Sequence, residues 1–274
     1  MLTVRWEESQ LPPPLPARIV ATWRDERGEL AATCYRSDAA AWIDWPGVAL
    51  FTCEPPHAVL TIAPSPGAPR ALVDDVATRV VTPYVFQLLG RQVLHASAVG
   101  TPDGGALVLA GARGSGKSTV AASLDRENWP QLADDAVVWH FDERRPVMAP
   151  LAFTRRLRPG ARALLRTAAG GSVAPDAALR AVRAVVVLEQ DDRLATSRLV
   201  PVDARAAFVA LLGQALVFDE ASRHERQRLV RDLLELSAAV PVYRARYPPD
   251  LSELADLTST LRQMAEGAAA HPRG

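Results

Sequence analysis

Lysine is all but missing from this 274-residue chain: of thirty-one basic residues, thirty are arginine and one, Lys117, is lysine. Cysteine is nearly as scarce. Cys34 and Cys53 have neither metal-ligand spacing nor a disulfide pattern, which excludes a cysteine-held metal and a stapled small scaffold. Net charge is absent as well, because thirty-one acidic residues cancel the basic ones. No global field therefore recruits nucleic acid or an anionic membrane. No apolar run is long enough to span a bilayer; the longest, 206–218, is interrupted by Gly213 and Gln214. The opening MLTVRWEESQLPPPLPAR has no apolar core and no cleavage site, so no secretory signal is read there. These absences lead us to expect a cytoplasmic protein with no nucleic-acid or membrane partner.

What is present is an ordinary globular composition, 49% hydrophobic and 23% charged, enough for one large domain or two small ones. The first ~90 residues read as β-rich. Strands are expected at 17–24, 30–35, 41–43, 48–52 and 58–62, separated by breakers such as Asp25-Glu26-Arg27-Gly28 and Pro46-Gly47. A helix is expected over 71–89, kinked or split by Pro83. The rest alternates as an α/β protein does. Strands are expected at 93–99, 106–110, 136–141, 184–188, 198–202 and 242–247, and helices at 118–126, 204–216, 223–239 and 251–266. The stretch 142–175, with Gly170-Gly171, has weak periodicity and reads as a lid or substrate loop.

The lone lysine sits in a motif. Gly111, Ala112, Arg113, Gly114, Ser115, Gly116, Lys117, Ser118 and Thr119 match G-x-x-x-x-G-K-[ST] without exception. The glycines let the backbone curl so that successive N–H groups face phosphate oxygens. Lys117 sets a compact ammonium against the outer phosphates, a task for which a forked guanidinium is the wrong shape. The Ser118 hydroxyl can ligate magnesium, and the helix beginning there adds its positive end. An apolar run, Ala106-Leu-Val-Leu-Ala110, precedes the motif as a buried strand should. The motif fixes phosphate binding but leaves the fate of the phosphate open.

Downstream the chain reads Leu132-Ala-Asp-Asp-Ala-Val-Val-Trp139. Two acids at the head of an apolar strand suit magnesium binding and proton abstraction. Turn chemistry alone also explains an Asp-Asp pair. The nearby phosphate motif favours the first account. The arginines Arg155, Arg156, Arg158, Arg162 and Arg166 read mainly as a solvated helical face, with γ-phosphate or acidic-substrate contact as the second account.

The runs VLHASAV at 93–99, GGALVLAGARGSGKST and LADDAVV, in that order and spacing, resemble the catalytic core of the HPr kinase/phosphorylase family. The ending PVYRARYPPDLSELADL is similar to the shorter HPr-kinase-like proteins, some of which phosphorylate ribosomally made peptides such as lasso peptides. The resemblance covers roughly residues 80–255. It implies that His95 lies in the active site, that Asp135 is the general base and that Asp134 stands beside the metal. It also implies use of ATP and Mg2+ and transfer of the γ-phosphoryl group to a serine hydroxyl. By itself His95 would read as a core histidine. The family's downstream glutamate motif and later arginine-bearing loop find no match here, which speaks against phosphorolysis and against HPr as the substrate.

The expected fold is therefore α/β: a phosphate-loop, HPr-kinase-like core with a mixed sheet flanked by helices, and a β-rich N-terminal portion. The expected divisions are 1–88, 89–266 and a flexible tail, 267–274. The expected activity is an ATP- and Mg2+-dependent kinase acting on serine of a peptide or protein. A small-molecule kinase for a sugar or amino acid, and a nucleotide-binding regulator without transferase activity, stand as alternatives. Assembly into a homo-oligomer is left open.

Overall fold

The computed structural model describes residues 2–8, 17–24, 27–166, 172–174, 176–218 and 222–270. Expected features at Asp25-Glu26, at Gly170-Gly171 and beyond 270 lie outside those residues. The chain divides into two units, Met1–Arg91 with Val217–Arg228, and Gln92–Leu216 with Leu229–Gly274. The second unit is thus not continuous from 89 to 266. Residues 217–228 group with the first unit, where Phe218 packs edge-on against Tyr84 with ring centroids 5.3 Å apart.

The first unit is a six-stranded sheet covered by one interrupted helix. Strands β2 (Arg18–Arg24), β3 (Leu30–Arg36), β4 (Ala41–Trp45), β5 (Ala49–Glu54) and β6 (Val59–Pro64) form an antiparallel meander. Strand β1 (Thr3–Trp6) adds parallel to β6 at one edge. All four of its residues are exposed, so it carries no buried alternation by which a sequence reading could find it. The central strands bury consecutive residues rather than every second one, as at Ala32–Cys34, Ala41–Ile43 and Ala49–Phe51, and Cys34, Ile43, Phe51 and Ile62 belong to one core. Burying a side chain the size of Phe51 or Ile62 is worth roughly 1.5–3 kcal/mol. The cover is α1 (Arg70–Val76), a π-helical turn at Ala77–Val81, and α2 (Thr82–Leu88), which present Val73, Val81, Tyr84 and Val85. Pro83 explains the interruption: it has no N–H to give, and the preceding Thr82 N–H reaches back five residues to Ala77 O. Cys34 and Cys53 are buried and not joined in a disulfide, and burial pushes the Cys53 thiol up to about 12, so it offers no reactive thiolate.

The second unit is a nine-stranded mixed sheet with helices packed on it. In chain order it comprises β7 (Gln92–Leu94), β8 (Ala96–Gly100), β9 (Ala106–Ala110), α3 (Lys117–Arg126), β10 (Gln131–Ala133), β11 (Val137–Asp142), β12 (Arg145–Ala149), the short pair β13 (Phe153–Thr154) and β14 (Ser172–Val173), with α4 (Pro159–Leu165) between them, β15 (Arg180–Gln190), β16 (Arg198–Pro201), α5 (Ala204–Leu212), α6 (Arg223–Ala239), which starts in the first unit, β17 (Val242–Tyr247) and α7 (Leu254–Ala270). The sheet runs β10-β8-β9-β15, and β15 then has two neighbours. Its first residues pair with β12, which leads to β11 and β7; its later ones pair with β17, which leads to β16. Strands β9, β15 and β17 are mutually parallel, and every residue of β8 and β9 is buried. Leu107, Leu109, Val186 and Leu188 share one core with Val120 and Leu124 of α3 and Leu257 and Leu261 of α7. Among the described residues, no helix is long and apolar enough to cross a membrane.

Several expectations shift here. The strand expected over 93–99 is two strands, because His95 leaves the ladder and its N–H bonds Gln214 O at 2.7 Å. The helix expected to reach 216 stops at Leu212, and the chain after it turns back so that Leu216 N–H bonds Val93 O at 2.9 Å. The stretch expected as an irregular lid holds β12, β13, α4 and β14. Its hairpin turn, Glu143-Arg144, has no glycine to announce it, and Glu143 takes the left-handed φ of 55° itself. The last helix continues to Ala270 where a tail was expected from 267.

Candidate functional site

Strand β9 ends at Ala110 and the phosphate motif follows at once. A Cβ on Gly111 would stand 2.6 Å from both Leu188 O and Ser115 Oγ, so only glycine lets the loop leave the sheet. Gly116 caps α3 in the left-handed region, φ +87°. The Tyr247 hydroxyl, at the end of β17, crowds Gly116 and donates to Ser115 O. Lys117 is buried, with Nζ donating to Gly111 O at 2.8 Å and Ala112 O at 3.1 Å. The ammonium thus closes the loop on itself. No side chain caps α3, which leaves its first-turn N–H groups for a ligand. Ser115 Oγ is buried in the same loop without a hydrogen-bond partner. An orphaned hydroxyl, uncapped N–H groups and an ammonium in one concavity match the donor set that a phosphate chain needs.

The carboxylates arrive from the neighbouring strands. Antiparallel pairing of β10 with β8 sets Asp134 beside Ser97, whose hydroxyl donates to Asp134 Oδ1 at 2.6 Å. Ser118, at the head of α3, donates to the same oxygen at 2.9 Å. Ser97 was not singled out from the sequence, although a polar residue in the run VLHASAV was the signal available. The aspartate pair lies in a bend, and the strand begins only at Val137. Ala136 N–H bonds Asp134 O at 2.8 Å across Asp135, whose φ is +63°. That is a tight three-residue turn closed by one hydrogen bond, of the strained kind. A non-glycine residue there costs on the order of 1–3 kcal/mol. His95 Nδ1 lies 3.1 Å from Asp135 O. The break in the strand and the turn between strands therefore meet.

Burial dominates the electrostatics. It pushes the Asp134 carboxyl above its ordinary range; the Ser97 hydrogen bond pulls it back, the Asp135 charge raises it further, and the Ser118 hydroxyl lowers it. A carboxyl raised on folding costs stability as it ionises, so this group weakens the fold as pH climbs through its raised value, the reverse of a salt-bridged carboxylate. Burial also lowers the Lys117 ammonium, against the opposing pull of Asp135 and then Asp134. Among the described residues no group of three or more His, Cys, Asp or Glu gathers to cage a metal. Ser118 and Asp134 nevertheless fit Mg2+, which keeps its waters and takes one or two protein oxygens beside substrate phosphates.

The arginine cluster divides. Arg155 is committed to structure, with Nη2 on Asp125 Oδ2 at 2.8 Å and Nε on Gln131 Oε1 at 3.2 Å. Arg158 stands beside Gly114 of the phosphate loop. Arg156 and Arg166 are exposed and Arg162 is half-buried. Ala112, Arg113 and Gly114 form the exposed crest of the loop, and Thr119 is half-buried in the first turn of α3. Beside the crest opens a cleft of about 810 Å³, walled by the end of β15, by Ala206 and Val209 of α5, and by Gln214, the residue bonded to His95.

Tyr247 is the other residue that the sequence did not announce. Tyr247→Phe removes the hydroxyl that holds Ser115 O and loosens the loop. Nucleotide affinity should fall by several-fold, the scale of one hydrogen bond at about 1 kcal/mol. Titration calorimetry beside the wild type checks this; unchanged affinity would show that the hydroxyl does not shape the loop.

No protein-family model and no curated protein matches this chain. Among solved structures, the Hpr(Ser) kinase/phosphatase from Coxiella burnetii superposes on 65% of this chain and 93% of its own, with a TM-score of 0.36 and 12% sequence identity.

Proposed function

We propose that this chain transfers the γ-phosphoryl group of ATP to a hydroxyl in the presence of Mg2+, the acceptor being a serine of a ribosomally made peptide or of a protein. One observation carries the reading. Ser118 and Ser97 converge on one oxygen of Asp134, while the adjacent Asp135 is turned away by a strained bend and held against His95. A module that only binds nucleotide needs the cradle and the first acid. It has no use for the second acid in a costly conformation.

The residues divide the work as follows. Loop N–H groups and Lys117 hold the β- and γ-phosphates, and Ser118 and Asp134 would hold Mg2+. The metal, when bound, neutralises charge on the phosphate oxygens. The acceptor oxygen bonds to the γ-phosphorus as the bond to the β–γ bridging oxygen breaks. Its proton passes to the Asp135 carboxylate, and ADP departs. His95 orients the Asp135 turn through the backbone carbonyl that faces its ring. Catalysis of this kind is mostly positioning and charge stabilisation. A peptide acceptor is supported by the solvent-open cleft that runs from the loop crest to Gln214. Use of ATP and Mg2+ is in keeping with a cytoplasmic protein.

The test is label transfer from γ-labelled ATP, with Mg2+, to serine-containing peptides, read as a one-phosphate mass increase on serine. Transfer to sugars or free serine, with none to peptides, would change the acceptor class. Firm ATP binding without transfer to any hydroxyl would overturn the kinase reading in favour of a regulator.

A further inference from the structure

Besides Lys117 and the crest residue Arg113, the phosphate loop has a further cation above it that lies outside the motif. Nη2 of Arg158 lies 3.3 Å from the point where a Cβ on Gly114 would stand, over the crest of the loop. Gly114 itself has φ +87°, so neither its backbone nor its surroundings favour a side chain there. The guanidinium occupies the space that the missing side chain leaves.

Its position is built rather than incidental. The neighbours Leu157 and Ala161 are buried in the same core as Val120 and Leu124 of α3. Three residues upstream, Arg155 is clamped to Asp125 at the far end of α3 and to Gln131 of β10. The backbone at Arg158 is therefore fixed from both sides to the helix that begins at the phosphate loop. The side chain is exposed, and no acidic group among the described residues pairs with it. A guanidinium held over a concavity of N–H donors, with no anion of its own, is arranged for an anion that arrives with the ligand.

We propose that Arg158 is a phosphate-binding residue that reaches the terminal phosphate of the nucleotide and makes the site favour a triphosphate over a diphosphate. This rests on the reading of 111–119 as a nucleotide cradle. Lys117 lies on the inner side of the loop, bonded to Gly111 O and Ala112 O, whereas Arg158 approaches from the crest. Lys117 and Arg158 thus approach the phosphate chain from different sides. Lys117 meets the β-phosphate that ATP and ADP share as well as the γ-phosphate, and Arg158 meets only the γ-phosphate.

The experiment is calorimetric titration of the full chain with Mg·ATP and with Mg·ADP for wild type, Arg158→Ala and Arg158→Lys. Arg158→Ala should lose about tenfold or more in affinity for ATP, the scale of a lost charge-assisted hydrogen bond. ADP affinity should change by less than about threefold, because the residue then has no partner phosphate to lose. Arg158→Lys keeps the charge without the fork and should fall between the two. If Arg158→Ala binds both nucleotides as the wild type does, or loses both equally, the assignment of Arg158 is overturned while the cradle stands. If the wild type binds neither nucleotide, the cradle reading fails and takes the assignment with it.

Discussion

Asp135→Asn is expected to bind ATP much as the wild type does and to turn over ~10²–10⁴-fold more slowly, the usual contribution of a positioned base. Asparagine is nearly isosteric and tolerates the left-handed φ of +63° that Asp135 adopts, so the turn and the His95 contact to residue 135 O should persist. What is lost is the capacity to take a proton. Asp135→Gly gives the same chemical defect with a different physical signature. It relieves the turn strain and removes a negative charge beside the buried Asp134, at the cost of the charge that attracts Lys117, so this variant should melt close to the wild type. An inactive variant that melts close to the wild type would separate catalysis from structure. Asp134→Asn should behave otherwise: it alters the oxygen that receives Ser97 and Ser118 and should raise the Mg2+ concentration needed for activity. Nucleotide affinity, turnover against Mg2+ and thermal melting are the three measurements. Wild-type turnover in Asp135→Asn together with loss in Asp134→Asn would exchange the two roles, and full activity in both would end the catalytic assignment.

Lys117→Ala should abolish transfer and weaken ATP binding, since charge stabilisation of a transferring phosphoryl group is worth on the order of 3 kcal/mol. The same result is expected of Lys117→Arg. Nζ fits between Gly111 O and Ala112 O at 2.8 and 3.1 Å, in a position that is 6% exposed. A planar fork of several heavy atoms cannot occupy a place sized for one nitrogen, and pushing it outward would open the loop. The comparison is informative in a chain that otherwise uses arginine for every positive charge. An arginine variant with wild-type turnover would show that the lone lysine is not selected by the shape of the loop.

How much of this was legible beforehand depended on distance along the chain. The phosphate cradle was readable because its demands are local: glycines where φ must be positive, a lysine, a hydroxyl, a buried strand before and a helix after, all within residues 106–126. The adjacent aspartates were readable for the same reason. Helix α6 and strand β17 begin and end where periodicity and the Pro248-Pro249 breaker put them. Other features depend on pairing. Ser97 meets Asp134 across 37 residues and Tyr247 meets Ser115 across 132, through strand neighbours that no local pattern names. Strands β8 and β9 are buried on both faces, so they carry no alternation from which register could be read. His95 looked like the middle of one strand because apolar residues flank it; only the partners of β7 and β8 pull the two halves apart. The arginines 155–166 resembled one another in sequence, and the core around α3 separated them, turning Arg155 toward Asp125 and Arg158 toward Gly114. Backbone geometry within a few residues is written in residue types. Which side chains share a carboxylate is decided by strand register and helix packing, where many residues of similar character compete for the same place.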